Sequence, residues 1–300
     1  MKSGTTSLHY LLGSHQRVFI PRKEIFFFTI DDYEQHPGFF RGPMGSWVDR
    51  DYERQFDEYF AWYASFFEEA ADGQLVGEDA PTYMASATAP ARIKALLPRC
   101  KLIFMLRCPV RRAYSQYWHL VASGRAFHSF EKTVRYHPGN LLQRGLYRSH
   151  VEAFSRHFPA SQLKFVIFER FVRDPQTVAN ELAEFLDLSC GLDLSTTKTQ
   201  RNAAQMPRFF RLQLAYNRLF PQLATAHYVR KHLPGAARPA HKGLLLTMDK
   251  WFKRLNVVQK PYPTMRTRTR AFLESFYARE NRGLSELIGT NVSEEWKYKA

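Results

Sequence analysis

Cysteine is scarce in this 300-residue chain. The three present, Cys100, Cys108 and Cys190, are an odd number without metal-ligand spacing, which argues against a disulfide scaffold and a zinc site. No apolar run approaches the roughly 20 residues of a membrane-spanning helix, so no span is expected. Glycine and proline, 15 and 16 residues, stand at ordinary levels, and collagen-like or low-complexity architecture is excluded. Acidic residues are in short supply, and unevenly so. Residues 1–200 carry 24 Lys and Arg against 22 Asp and Glu, whereas residues 201–300 carry 19 against 6, so most of the formal +15 belongs to the last third. Between Asp193 and Asp249 there is no carboxylate, yet Lys198, Arg201, Arg208, Arg211, Arg218, Arg230, Lys231, Arg238 and Lys242 fall there. Such a field attracts anions: a nucleotide, an acidic sugar, nucleic acid or an acidic lipid surface. A merely solvated basic face is the plainer reading.

Core-forming material is abundant. With 45% apolar and 15% aromatic residues the chain can bury a large core, and intrinsic disorder is excluded. Lys2-Ser3-Gly4-Thr5-Thr6-Ser7 runs straight into Leu8, Leu11 and Leu12, so it reads as a loop opening a helix. Val18 to Pro21 and Leu75 to Glu78 suggest short strands. Lys101 to Leu106 and Leu163 to Phe168 have the unbroken apolar character of buried parallel strands. Helical spacing covers Ser86 to Leu97, Val110 to Val121 with Pro109 in the first turn, and Pro175 to Leu186. Tyr52, Phe56, Tyr59, Phe60, Tyr63, Phe66 and Phe67 recur at helical intervals, a stripe suited to core packing. The alternation predicts one α/β domain over 1–300, a central parallel sheet flanked by helices, with a helical, basic C-terminal third.

Two segments carry candidate chemistry. A glycine-containing loop at a helix start binds anions, because free N–H groups and the helix dipole face the ligand. Here Lys2 adds an ammonium, and Ser3, Thr5, Thr6 and Ser7 add hydroxyls. The nucleoside-triphosphate P-loop has its Lys after the final Gly, whereas Lys2 precedes Gly4, which argues against a kinase or ATPase. An ordinary capped helix start is the alternative. Arg107 lies at the end of a buried strand, where open α/β sheets bind ligands. Ser115 follows about two helical turns later, within reach of the same phosphate. The structural alternative pairs Arg107 with Glu78 or Glu169.

These residues carry a resemblance. Lys2 to Leu8 resembles the 5′-phosphosulfate-binding loop of sulfotransferases, and Leu106-Arg107-x-Pro109-Val110 through Ser115-Gln116-Tyr117 resembles their 3′-phosphate site. Lys23-Glu24-Ile25-Phe26-Phe27-Phe28 and Gly77 to Tyr83 are similar to segments of the heparan sulfate N- and 3-O-sulfotransferases and their bacterial relatives. So are Gly145-x-Tyr147 and the tail containing Leu273, Phe276, Tyr277, Asn281, Leu284, Gly289 and Trp296. The resemblance implies 3′-phosphoadenosine 5′-phosphosulfate (PAPS) as donor, 3′,5′-ADP as product, and transfer of the sulfuryl group to a hydroxyl or amine. Lys2 is then expected at the leaving phosphate, Ser3 to Ser7 with Gly4 around the 5′-phosphate, and Arg107 with Ser115 on the 3′-phosphate. Glu24 is the expected base, its alternative being a surface carboxylate paired with Lys23 or Arg22. Lys260, in a stretch lacking the family's Lys-Gly-Arg triplet, is the candidate for a second 3′-phosphate contact. Arg201-Asn202 with Pro207-Arg208 resembles a segment of bacterial members. No metal is expected, since Lys2 and Arg107 supply positive charge.

Three departures qualify these expectations. The family's loop follows a buried strand, but this chain begins one residue before the Lys, so the first strand is expected to be truncated. Phe26 stands where the heparan enzymes commonly have His, and Asp79 where Lys is common; both are expected near the acceptor. The acceptor itself stays open between an acidic glycan and a glycolipid. Phe209, Phe210, Leu212, Leu214, Tyr216, Leu219 and Phe220 interleave with Arg208, Arg211 and Arg218, which suits a helix completing the core or a peripheral membrane contact. A non-catalytic adenine-nucleotide or polyanion binder is the alternative function, and nucleic acid is not an expected partner. The sparse cysteines favour a bacterial cytoplasm over the Golgi lumen.

Overall fold

In the computed structural model, which describes residues 2–42, 46–189, 191–195, 204–234 and 244–296, these periodicities become elements in the expected order. Leu8, Leu11 and Leu12 form the buried face of α1 (Thr5–Gly13). After β1 (Val18–Phe19) the aromatic-rich stretch winds into α2 (Phe56–Ala64), and β2 (Leu75–Val76) pairs in parallel with β1. Pro90 opens α3 (Ala89–Leu96), where its missing N–H has no intrahelical partner to lose. β3 (Leu102–Leu106) leads directly to α4 (Pro109–Ala122), again opened by proline. Helices α5 (Phe130–Tyr136), α6 (Gly139–Leu142) and α7 (Tyr147–Ser155) return the chain to β4 (Leu163–Ile167), which runs parallel to β3 from Leu102↔Leu163 to Leu106↔Ile167. Then come α8 (Phe168–Arg173) and α9 (Pro175–Phe185), the latter capped by Asp174 through the Thr177 N–H. The last third holds β5 (Gln205–Pro207), α10 (Phe210–Leu219), α11 (Pro221–His232), α12 (Leu244–Asn256), β6 (Val257–Gln259), α13 (Thr267–Glu280), α14 (Leu284–Ile288) and α15 (Val292–Trp296).

Parallel pairing takes the form of two separate pairs, β1–β2 and β3–β4, with no ladder joining them among the described residues. Side chains bridge them instead. Leu8, Leu11 and Leu12 of α1 and Val18 of β1 share one apolar cluster with Met105, Val166 and the inner face of α9. The basic third is also less helical than expected, because β5 and β6 pair antiparallel. Three residues per strand are too few for alternation to show in sequence.

The larger core is aromatic. Phe27 stacks on Tyr63 at 4.5 Å between centroids and meets Tyr52 edge-on at 5.2 Å, pairs that each add about 0.5–1.5 kcal/mol beyond burial. Tyr52, Tyr59 and Tyr63 of the predicted stripe are buried, as expected of core packing, while Phe60 is partly exposed.

The tail motifs also prove to be architecture. A Cβ on Gly145 would lie 2.6 Å from the Tyr277 ring, so only glycine lets α13 approach. Asn281 donates to the Gly145 carbonyl at 2.9 Å and accepts the Arg148 N–H at 3.1 Å. Trp296 packs on Tyr147 at 5.7 Å, and the Tyr147 hydroxyl donates to the Arg107 carbonyl at 2.9 Å. The C-terminal junction thereby anchors the end of β3, where the site begins. On α10, Leu214 is buried and Phe210 meets Trp118, but Phe209, Leu212 and Leu219 are exposed. Cys190, Lys198, Arg201, Asn202, Arg238 and Lys242 lie outside the described residues.

Candidate functional site

The loop before α1 is shaped by backbone conformation. Lys2 and Gly4 take left-handed φ values of 62° and 90°. Gly4 is the N-cap of α1, and no side chain caps the helix. The first-turn N–H groups therefore keep no intrahelical partner and face outward with the positive end of the dipole. Glycine is required at position 4 twice over: for its φ, and because a Cβ would lie 2.6 Å from Phe168 Cδ2. Gly4→Ala is accordingly expected to destabilise the fold by about 1 kcal/mol or more from the backbone alone. Thermal unfolding reads this as a lowered Tm, and an unchanged Tm would refute the close fit.

Arg107 meets that loop from the end of β3. Its Nη1 donates to the Lys2 carbonyl at 2.8 Å, and its guanidinium lies 4.8 Å from the centre of the Phe168 ring. The buried Nε has no hydrogen-bond partner among the described residues. Neither carboxylate considered for it closes an ion pair. Glu78 instead accepts the Tyr63 hydroxyl at 3.0 Å and lies 3.2 Å from the Tyr83 hydroxyl; burial pushes its pKa up to about 8. Glu169 accepts the Cys108 N–H at 3.2 Å and stands 4.0 Å from Arg111. Burial pulls the Arg107 pKa below its usual value, as it does for any cation held out of water without a full counter-charge. Arg107 also lines a cavity of about 270 Å³ with Arg111, Tyr114, Tyr262 and Arg270. Ser115 is buried on α4.

Glu24 completes the constellation. Burial raises its pKa first and the nearby Asp79 carboxylate second, while Lys231 and Arg125 oppose the rise. Lys2 feels the same neighbourhood from the other side: burial and Arg107 lower its pKa, and Glu24 partly restores it. The alternative, a surface pair with Lys23 or Arg22, is not formed among the described residues; Lys23 lies over the rings of Phe66 and Trp62 at 4.9 and 5.5 Å. His119 of α4 accepts from Arg125 Nη2 at 3.0 Å, which requires a neutral imidazole. Its pKa falls to about 3 through burial, Arg125 and Lys2. His232 of α11 reaches the Glu24 carbonyl at 3.1 Å.

A model of the Sulfotransferase family matches residues 1–191, the stretch that contains Lys2, Glu24, Arg107 and Ser115. The chain belongs to the sulfotransferase family. Human heparan sulfate glucosamine 3-O-sulfotransferase 3B1 is 34% identical over 145 residues, covering 46% of this chain and 37% of that enzyme. The bifunctional heparan sulfate N-deacetylase/N-sulfotransferase 1 of Xenopus laevis is 27% identical over 213 residues, covering 65% of this chain and 22% of its own length. The matched region thus spans well under half the length of these curated relatives. Among solved structures, a sulfotransferase from Alicyclobacillus acidocaldarius shares the fold with a TM-score of 0.53 at 23% identity, over 79% of this chain and 95% of that one.

Within this sulfotransferase, two sequence expectations fall differently. Phe26, expected near the acceptor, is buried between the His36 and His232 rings, each 4.6 Å away, its apolar ring drawn into the core. Asp79 does lie at the site, beside Glu24 and 3.3 Å from His9 Nδ1. Lys260 is exposed just after β6 and is not among the residues lining the Arg107 cavity, to which Arg270 contributes instead. Arg125, His119 and Lys231 were not foreseen. For His119 a signal existed, since it stands one helical turn beyond Ser115 on the same face of α4. Arg125 and Lys231 are distant in sequence and meet Glu24 only through folding.

Proposed function

We propose that this chain is a single sulfotransferase domain that moves the sulfuryl group of PAPS to a hydroxyl or amine of a carbohydrate-bearing acceptor. The convergence of Lys2, Arg107 and Glu24 around the start of α1 carries the reading. The residues fit an anionic nucleotide: among the described residues the buried Arg107 Nε has no partner, and the close-packed turn at Gly4 has no side-chain cap on the first-turn N–H groups of α1. PAPS supplies an activated sulfuryl group on a phosphate leaving group, with a 3′-phosphate as handle.

The protein's part is positioning and charge. Such transfers rely on in-line alignment and on neutralising charge at the leaving oxygen. Lys2, with the N–H groups and hydroxyls of Ser3 to Ser7, serves the 5′-phosphate in this phosphate-binding loop, where negative charge grows. Arg107 and Ser115 hold the 3′-phosphate, with Lys260 as an outer contact. Glu24 takes the acceptor's proton; burial lifts its basicity toward the range useful near neutral pH. Heparan sulfate, named in the relatives, makes a glycan the first acceptor class to test, and the basic last third suits an acidic one.

Incubating the purified chain with PAPS and a panel of heparan-type glycans, neutral oligosaccharides and glycolipids tests this, with 3′,5′-ADP release as readout. Acceptor-dependent release is expected. Binding of 3′,5′-ADP without turnover on any acceptor would reduce the protein to a nucleotide binder.

A further inference from the structure

The last third presents a surface outside the Lys2, Glu24 and Arg107 site. α10 leaves β5 and α12 enters β6, and because β5 and β6 are antiparallel, the two helices lie side by side in opposite directions. Tyr216 locks them together, its ring 4.0 Å from that of Phe252 and its hydroxyl donating to Asp249 at 2.9 Å. Toward the core, Asn256 donates to Gln213 at 2.9 Å and accepts the Phe209 N–H at 2.9 Å, and all of Gln213, Asn217 and Asn256 are buried. The inner faces therefore combine satisfied amides with the apolar Leu214 and Phe210, which join the core.

The outer faces are apolar. α12 exposes Met248, Trp251 and Leu255, spaced as one stripe, at 53%, 58% and 66%. α10 exposes Leu212 and Leu219, with Phe209 at its start, at 53%, 71% and 60%. Antiparallel axes with a shared buried side turn both stripes the same way. Exposed Arg208, Arg211, Arg218, Lys250 and Arg254 surround them. From Leu194 to Leu273 the sequence has one carboxylate, Asp249, already engaged by Tyr216 and by Lys253 at 2.8 Å.

We propose that this face docks on an anionic lipid surface. Apolar stripes rimmed by cations match an interface helix pair, whose apolar side enters the headgroup–acyl boundary while Lys and Arg meet lipid phosphates. Charge and apolarity together select this occupant. An acidic glycan would neutralise the cations but leave Trp251, Leu212 and Leu219 in water, and a second copy of the chain would oppose the same cations to themselves. α11, which follows α10, supplies Lys231 and His232 to the Glu24 side of the site, so docking would bring the site toward acceptors carried on the same membrane. The docking itself does not depend on the transfer reading.

Co-sedimentation of the full chain with phosphatidylcholine vesicles, with and without phosphatidylglycerol, tests the proposal, and tryptophan fluorescence reports burial of Trp251. Binding to the anionic vesicles with a blue shift is expected. The double variant Trp251→Ser, Leu255→Ser should lose roughly tenfold or more in vesicle affinity. Arg211→Gln with Arg254→Gln should weaken binding and flatten its salt dependence. All these side chains are exposed, so unchanged thermal unfolding verifies that the variants fold. Three results would overturn the proposal: no binding to anionic vesicles, binding indifferent to the Trp251/Leu255 variant, or self-association or heparin binding by this face in place of lipid binding.

Discussion

Arg107→Ala is expected to weaken 3′,5′-ADP binding by roughly 10- to 100-fold, the loss typical of a charge-assisted contact to phosphate, while 5′-AMP binding changes far less. Two features of the side chain motivate the asymmetry. Its Nε is buried without a partner among the described residues, so an incoming phosphate oxygen would satisfy it. Its backbone is clamped by Tyr147 and its guanidinium by the Lys2 carbonyl and the Phe168 ring, so the side chain is held in place before the nucleotide arrives. Arg107→Lys keeps the charge without the planar fork and should fall between wild type and alanine. Calorimetry with both nucleotides decides. Because Arg107 also bonds to the Lys2 carbonyl, an equal loss for 3′,5′-ADP and 5′-AMP would mean that the loop had collapsed, and the 3′-phosphate assignment would fail.

Glu24→Gln should lower kcat by roughly 10²- to 10⁴-fold, the usual worth of a positioned general base, while 3′,5′-ADP affinity stays near wild type. The pH dependence gives the sharper reading. A base must be ionised to accept a proton, so wild-type turnover should rise with pH through the Glu24 pKa. Burial and Asp79 place that limb above the ordinary carboxylate value of about 4.3. Asp79→Asn removes the second cause and should shift the limb to lower pH without abolishing activity. If the Gln variant keeps the wild-type limb, the titrating group is another residue and Glu24 is not the base.

Much of this was legible because it is local. Proline at the start of α3 and α4, the apolar runs of β3 and β4, and Leu8, Leu11 and Leu12 in α1 each declare their element within a few residues. Lys2, Gly4 and Arg107 were legible for the same reason, being tied to a helix start or a strand end. Legibility stopped where partners lie far apart. Nothing in sequence shows that Glu78 is taken by Tyr63 and Tyr83 rather than by Arg107, or that Gly145 makes room for Tyr277.

The sequence by itself determined the order of the strands and helices that flank the site, from α1 to α4, the helix-opening loop at Lys2 to Ser7 and the concentration of positive charge after residue 200. Those depend on backbone preferences and composition, which act over one or two turns of chain. Only the tertiary structure decided that Phe26 is core, that Arg125 and Lys231 surround Glu24, and that the apolar residues of α10 divide between the interior and an exposed stripe beside α12. Burial and electrostatic coupling belong to spatial neighbours, and in this chain the neighbours that set the charge of Glu24 are separated by up to about two hundred residues.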